Sequence, residues 1–339
     1  MDRVTTQRKR IGVLVGGEMP ERELSVAGGD AVRVALEERG WDVVTIHVDR
    51  ELDLVLRQER IEVAFLCLRS RRGDGAVQGL LETLGIPYTG SSLWACALAS
   101  DKLKDKELLR LHGLPTPAYY RHSRDMGNAV EQHQGFGFPC VVKPRAGGSG
   151  VGVAVARNED ELARAVETAL RIDDEVIVER HAAGCEVQVA LLDGQVLGVA
   201  EIASEGGGLD GAARAMVRTQ VPAQVIIPPR LSSERLRGVV TQAVRAHHLF
   251  GCEGLTRVDL VVSESGNENV LEVETQPDLA PGSLLPKLAH AAGLPFAELV
   301  ERLLLDARLH THRRMRERRG FDLPFSPPDR RAAGTAEPH

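Results

Sequence analysis

Arg257-Val-Asp259 and, a hairpin's length further on, Leu271-Glu272-Val-Glu274-Thr-Gln-Pro277 are the segments on which the reading of this chain turns. Both are strand-like and are expected to pair as a hairpin around Ser263 to Asn269. Side chains alternate along a strand, so Arg257 and Asp259 share one face, Glu272 and Glu274 share one face, and Val258 and Val273 point away. Three carboxylates, Asp259, Glu272 and Glu274, are therefore expected to converge beside one arginine. Such a cluster on an otherwise apolar hairpin repels itself unless a cation sits among the carboxylates, and an oxygen-only donor set suits Mg²⁺ better than zinc. A magnesium–nucleotide site accounts for the pattern; a solvated edge face with surface ion pairs is the competing account.

Upstream, Lys143-Pro-Arg-Ala-Gly147-Gly148-Ser149-Gly150-Val-Gly152 sets a lysine at the end of an apolar strand and then a glycine-rich loop. Backbone N–H groups in such a loop can wrap phosphate oxygens. No G-K-[ST] closes it, so it is not a Walker A loop, and a strand follows it where a dinucleotide fingerprint needs a helix. A flexible hairpin turn is the alternative. Lys102 and Lys143 can hold phosphates, while Glu179 and Glu186, flanking the hinge after Val178, can accept hydrogen bonds from adenine and ribose.

Around these segments the chain divides into α/β and α+β regions. Strand signals at Ile11–Val15, Asp42–Val48 and Glu62–Leu68 alternate with helices at Val26–Arg39 and Val77–Leu84, and Ile86–Thr89 reads as a further short run. That is the pattern of a parallel sheet with crossover helices, whose active edge lies where strands give way to loops. A boundary is expected near Ser92–Ser100, giving an N-terminal Rossmann-like unit over residues 1–98. A helix from Asp101 to about Gly113 and two prolines at Pro115 and Pro117 open a second unit, residues 99–183. It carries strands at Phe138–Pro144, Val151–Ala156 and Glu175–Glu179, and a helix opened by an Asn158/Glu161 capping box. A third unit, residues 184–310, begins with a hairpin turning at Asp193-Gly194 and holds helices at about Ser233–His248 and Phe296–Arg308. Residues 311–339, rich in proline and polar side chains, read as a disordered tail.

Composition narrows the function classes. With 339 residues, 27% charged and 43% hydrophobic, the chain is an ordinary multidomain globular protein. Aromatics at 4% leave few platforms for stacking nucleic-acid bases, and a net charge of -6 removes the simplest electrostatic case for that partner. Cys67, Cys96, Cys140, Cys185 and Cys252 stand singly, without zinc spacing, as expected of buried thiols in a reducing cytoplasm. No apolar run approaches the ~20 residues of a membrane span, and the basic N-terminus lacks a signal-peptide apolar region. His247, His248, His310 and His312 read as structural or solvated side chains rather than ligands.

Taken in order and spacing, further segments join these: Gly16-Gly17-Glu-Met-Pro-Glu21-Arg-Glu-Leu-Ser25, Gly73-Asp-Gly-Ala-Val-Gln78-Gly, Ile86-Pro-Tyr-Thr-Gly-Ser91 and Asp101-Lys102. With Lys143 and its loop and the two strand segments, the chain resembles the D-alanine–D-alanine ligase family of ATP-grasp enzymes over about Arg10 to Arg308. The resemblance implies a three-domain ATP-grasp fold, cytoplasmic, homodimeric and dependent on ATP and Mg²⁺, with two ions and Mn²⁺ as a substitute. It implies phosphorylation of one D-alanine carboxylate and attack by the amine of a second, giving a peptidoglycan-precursor dipeptide from small-molecule substrates, with no nucleic acid or membrane involved.

Carried over by position, Lys102 and Lys143 hold phosphates, Glu179 and Glu186 bind adenosine, and Asp259, Glu272 and Glu274 bind the metal. Glu21 and Ser149 orient the first amino acid, Arg257 stabilises the tetrahedral intermediate, and Ser283 with Leu284 meets the second carboxylate. The departures gather on the amino-acid side. Arg69-Ser70 stands where the family has a His-Gly turn, and Glu274-Thr-Gln-Pro-Asp278 replaces an Asn-Thr-x-Pro-Gly run, which sets Asp278 beside the expected oxyanion site. In the closing loop Gly206–Ala215 lacks the family's tyrosine, and Arg214 takes the place of a nucleotide-side lysine. Arg69 and Arg214 could instead grip an additional substrate carboxylate. Two other functions therefore stay open, a ligase for a different amino acid or acid acceptor, and a non-catalytic relative that binds nucleotide.

Overall fold

The computed structural model describes residues 9–17, 21–69, 74–148, 150–203, 224–263 and 266–311. Its first sheet is built from β1 (Arg10–Gly16), β2 (Asp42–His47) and β3 (Val63–Leu68), with α1 (Glu21–Glu37) and α2 (Leu52–Gln58) as crossovers. The strands run parallel in the order β2-β1-β3. β3 is buried along its whole length, as a strand covered on both faces must be. Three helices lead away from it, α3 (Ala76–Leu84), α4 (Leu93–Ser100) and α5 (Lys102–Leu111). Asp101 caps α5 by accepting from the N–H groups of Leu103 and Lys104.

The second sheet is antiparallel, in the order β4-β7-β5-β6, from β4 (Tyr119–Ser123), β5 (Cys140–Pro144), β6 (Ala154–Ala156) and β7 (Glu175–Arg180). The short helix α6 (Ala129–Gln132) and the longer α7 (Glu159–Ala169) cover one face of it. The Asn158 side chain accepts from Glu161 N–H at 2.9 Å, and Glu161 returns its carboxylate to Arg157 N–H, so the capping box closes one residue early.

The third sheet, β10-β9-β8-β11-β12, is also antiparallel. Its strands are β8 (Cys185–Leu192), β9 (Gln195–Ala203), β10 (Gln224–Ile226), β11 (Leu255–Val262) and β12 (Glu268–Glu274). Asp193 and Gly194 both have positive φ (49° and 78°), as a two-residue hairpin of the primed turn type demands. One face of this sheet packs Val187, Val189, Val258 and Leu260 on Val239 and Ala243 of α8 (Ser233–Leu249). Towards the chain end, α9 (Leu284–Ala291) and α10 (Phe296–Leu305) join a core shared between sheets. In it Ile11, Val13 and Phe65 of the parallel sheet meet Ala190, Leu192 and Ala200 of the third.

Several boundaries differ from the sequence reading. α1 starts at Glu21 and not at Val26, because the buried Ser25 belongs to its first turns, accepting from Gly16 N–H and donating to Cys67 O. The run Ile86–Thr89 contributes single bridges from Tyr88 to Ala64 and to Arg308 and no strand. α4 (Leu93–Ser100) occupies the stretch expected to be a boundary, and β4, β10 and α9 are elements that sequence pattern did not reveal. Residues 312–339 of the expected tail lie outside the described residues, but Thr311 is placed and donates to Glu82. The cysteines are free and all but the half-buried Cys185 are buried. Among the described residues, no helix is long and apolar enough to cross a membrane.

Candidate active site

The start of α1, the end of β3, the glycine loop and the open face of β8, β11 and β12 enclose a cavity of about 760 Å³. Glu21 and Arg69 form its wall on the parallel-sheet side, where strands give way to loops. Lys102, Lys143 and the loop residues Gly147, Gly148 and Gly150 form a second wall. Glu186, Arg257, Asp259, Glu272 and Glu274 form the third, and Asp278, Ser283 and Leu284 close one end. Ser149 and Arg214 lie outside the described residues.

The carboxylate face has the expected register. Arg257 pairs with Glu274 and Asp259 with Glu272 across β11 and β12. Arg257 donates from Nε and Nη2 to Asp259 Oδ1 and Oδ2 at 2.6 and 2.9 Å and lies 3.8 Å from Glu272 Oε1. Gln188, two residues from Glu186 on β8, donates to Asp259 Oδ2 at 3.1 Å. Burial raises Asp259 to about 6 against the pull of Arg257. For Glu272, burial also acts upward, but Arg257, Lys102 and Lys143 outweigh it and hold the group below its ordinary value. Its side chain is 45% exposed and reaches the cavity.

Among the described residues, no three His, Cys, Asp or Glu side chains form a ready cage for a metal. Asp259, Glu272 and Glu274 are therefore not gathered into one cage, and Mg²⁺ at this face would need phosphate oxygens and water to complete its shell. The donors at hand are oxygens only, which fits a hard cation. Glu186 fits a nucleotide as well: its Oε2 is buried without a hydrogen-bond partner, and burial, then Asp259 and Glu272, push the group up to about 8. An acceptor left over in a cavity wall suits the hydroxyl donors of a ribose.

On the lysine wall, Asp101 fixes the entrance to the glycine loop. Arg145 grips it through Nε and Nη2 at 2.9 and 2.6 Å and also pairs with Glu175, while Lys102 N–H donates to Arg145 O. Lys102 Nζ then donates to Gly147 O. Burial lowers its pKa, and Lys143 adds to that effect, while Glu272 opposes it. Lys143 lies 3.1 Å from Glu179; burial pulls its pKa down, but Glu179 and Glu272 together prevail and raise it. Glu179 does not line the cavity; it sits behind Lys143 and also meets Lys106 at 3.3 Å.

Lys106 was missed by sequence reasoning. Only 1% of its side chain is exposed, and it donates to Thr116 Oγ1 at 2.9 Å. Its signal was the spacing, one helical turn beyond Lys102 on α5, which puts both lysines on one face.

The amino-acid side carries the departures. Arg69 Nη1 donates to Gln276 O at 3.1 Å and lies 3.6 Å from Glu274, while Nη2 lies 3.9 Å from Glu21. A Cβ added at Gly148 would meet Glu21 Oε1 at 2.7 Å, so the glycine loop touches Glu21. Asp278 Oδ1 accepts from Ala280 N–H at 2.8 Å and its carbonyl accepts from Ser283 Oγ. Its carboxylate is thus occupied in its own turn.

The C-terminal family model of D-ala D-ala ligase matches residues 108–305. A D-alanine–D-alanine ligase of Geobacter sulfurreducens is 44% identical over 311 residues, 91% of this chain and 97% of that protein. One from Anaeromyxobacter sp. (strain K) is 43% identical over 303 residues, 89% of this chain and 97% of its own. The solved structure of a D-alanine–D-alanine ligase from Bacillus anthracis complexed with ATP superposes with a TM-score of 0.78 at 30% identity, covering 91% of this chain and 99% of that one.

Proposed function

Since this chain belongs to the D-alanine–D-alanine ligase family, we propose that its cavity joins two D-alanines into a dipeptide for peptidoglycan precursor synthesis, through an acylphosphate made at the expense of ATP. The reaction is an ATP-dependent ligation of a carboxylate to an amine. The observation that carries the assignment is one cavity bordered by a lysine wall, a glycine loop and an arginine–carboxylate face. Nothing in the chemistry calls for a protein nucleophile, so positioning and charge stabilisation supply the rate.

Lys102 and Lys143 hold the phosphates, with Glu179 behind Lys143 keeping that ammonium charged. Glu186 takes the ribose and Arg214 completes the nucleotide side, whereas Glu179, expected to bind adenosine, acts from behind Lys143. A divalent cation, held by Asp259, Glu272 and Glu274 as a pair of Mg²⁺ ions or with Mn²⁺ in their place, would neutralise the phosphoryl charge as it moves. Glu21 and Ser149 orient the first amino acid, and Arg257 lies ready for the oxyanion of the tetrahedral intermediate. Asp278, Ser283 and Leu284 bound the second amino acid, with Arg69 at its edge. The enzyme works in the cytoplasm as a homodimer on small molecules, without nucleic acid or membrane.

Two of the departures, Arg69 and Asp278, are accommodated by neighbouring groups of the chain itself. Arg69 already faces Glu21 and Glu274, so its charge needs no extra substrate carboxylate. Asp278 is turned into its own backbone.

The test is ADP release by the purified protein with ATP and Mg²⁺ against a panel of D- and L-amino acids, with products identified by mass. D-Alanine is expected to stimulate release and yield the D,D-dipeptide. Stimulation by an acidic partner alone would move the assignment to another acceptor. ATP binding with no stimulation by any amino acid would mark a non-catalytic relative.

A further inference from the structure

Arg69 is the first residue after β3, and its backbone has little freedom. Its N–H donates to Gly16 O at 3.3 Å, and a Cβ added at Gly17 would lie 2.6 Å from its carbonyl oxygen. The side chain is 7% exposed. Its guanidinium anchors on the backbone carbonyl of Gln276 and stands between two carboxylates, 3.6 Å from Glu274 and 3.9 Å from Glu21. Those separations are too long for direct hydrogen bonds but short for charges withdrawn from water, where attraction is strengthened.

The carboxylates belong to different parts of the site. Glu21 opens α1 and touches the glycine loop at Gly148, whereas Glu274 ends β12 beside Arg257. On the ligase reading, which this step rests on, one meets the first amino acid and the other the divalent cation. We infer that Arg69 is a positioning residue that fixes Glu21 and Glu274 relative to each other and so ties placement of the first amino acid to loading of the cation. A point ammonium could not do the same, because a planar fork fixed on one carbonyl holds its remaining donors at set directions. Arg69 Nε is buried without a partner. Direct contact of that atom with the second substrate is therefore the rival role.

Arg69→Lys and Arg69→Ala separate the two. Calorimetry of ATP binding across a Mg²⁺ series is measured beside the two saturation constants for D-alanine and the melting temperature. The lysine variant is expected to melt within a few degrees of the parent, yet to need about tenfold more Mg²⁺ for half-maximal ATP binding. The first-site constant for D-alanine should rise by a similar factor and the second-site constant far less. The alanine variant should shift the same quantities further, and if it fails to fold the lysine variant carries the test. A rise confined to the second-site constant would assign Arg69 to the substrate and overturn the inference, as would an unchanged Mg²⁺ dependence. If the parent protein forms no dipeptide, it is the ligase reading that fails, and the calorimetric arm still decides whether Arg69 governs Glu274.

Discussion

Glu179 is held by two ammonium groups, Lys143 at 3.1 Å and Lys106 at 3.3 Å, and none of the three is in open solvent. Burial pushes the carboxyl upward, but Lys106 and then Lys143 overcome it and keep the group ionised. Lys106→Ala should cost about 2–3 kcal/mol, less than breaking an isolated buried pair from one side, because Lys143 still faces Glu179. Denaturant unfolding measures it, and a loss below about 1 kcal/mol would mean that water takes over the vacated site. At the metal face, Glu272→Gln should weaken Mg²⁺-dependent ATP binding about tenfold or more, about 1.4 kcal/mol. Unchanged affinity in calorimetry would remove Glu272 from the cation site. The two residues differ in how far sequence revealed them. Glu272 was legible because strand alternation puts it on one face with Glu274 and opposite Asp259. Lys106 was not, because a lysine on a helix looks solvated until the neighbouring strand that supplies Glu179 is known. Glu179 was placed on the right strand for an incomplete reason, since its visible partners are lysines.

At the level of elements, most strand positions were read to within a residue or two, but the strand expected from Val151 after the glycine loop begins at Ala154. Helix starts were harder. The sequence reading opens the first helix at Val26, whereas α1 begins at Glu21 and carries the pair Gly28-Gly29 inside it. The reason is contact: a Cβ at Gly29 would fall 2.1 Å from Val15 Cγ1, and one at Gly28 would fall 3.2 Å from Ala280 N. The glycines let α1 approach β1 and the segment after β12 together, which brings Glu21 to the cavity. Opposing effects decide the outcome of Gly29→Ala. Alanine gains about 0.8–1 kcal/mol in helix propensity, but overpacking a full core costs about 1–3 kcal/mol, and a 2.1 Å approach calls for the upper part of that range. A net loss of about 1–2 kcal/mol is expected from urea unfolding, with reduced activity as Glu21 is displaced. A stabilised variant would show that β1 can yield and that the close approach is not required.

Across the whole molecule, the segment Arg308–Thr311 after α10 returns to the N-terminal unit. Arg308 and Tyr88 exchange backbone hydrogen bonds, and Glu82 accepts from Tyr88 Oη, His310 N–H and the Thr311 hydroxyl. Glu253, in the turn before β11, receives Arg308 and lies 3.2 Å from His310 Nδ1, while its backbone N–H and C=O both bond Ser91 Oγ. No periodic pattern announces such a latch, because it uses one or two residues from each partner; sequence reading ran the last helix through Arg308 and left the docking unseen. The latch has a pH signature. Burial raises Glu253, but hydrogen bonds from His310 and Arg308 prevail and hold it at about 2. A carboxyl depressed on folding contributes stability that is complete above its unfolded value, about 4.3, and is lost as pH falls towards the folded one. With 23% of the side chain exposed, the contribution is about 2–3 kcal/mol at neutral pH. Glu253→Gln should thus be less stable than the parent above about pH 5, and the margin should shrink by half or more by about pH 3. Denaturant midpoints of both proteins across that range measure it. A margin that persists undiminished to pH 3 would mean that the carboxylate charge has no part in holding the chain end, leaving shape and backbone pairing at Tyr88 to do so.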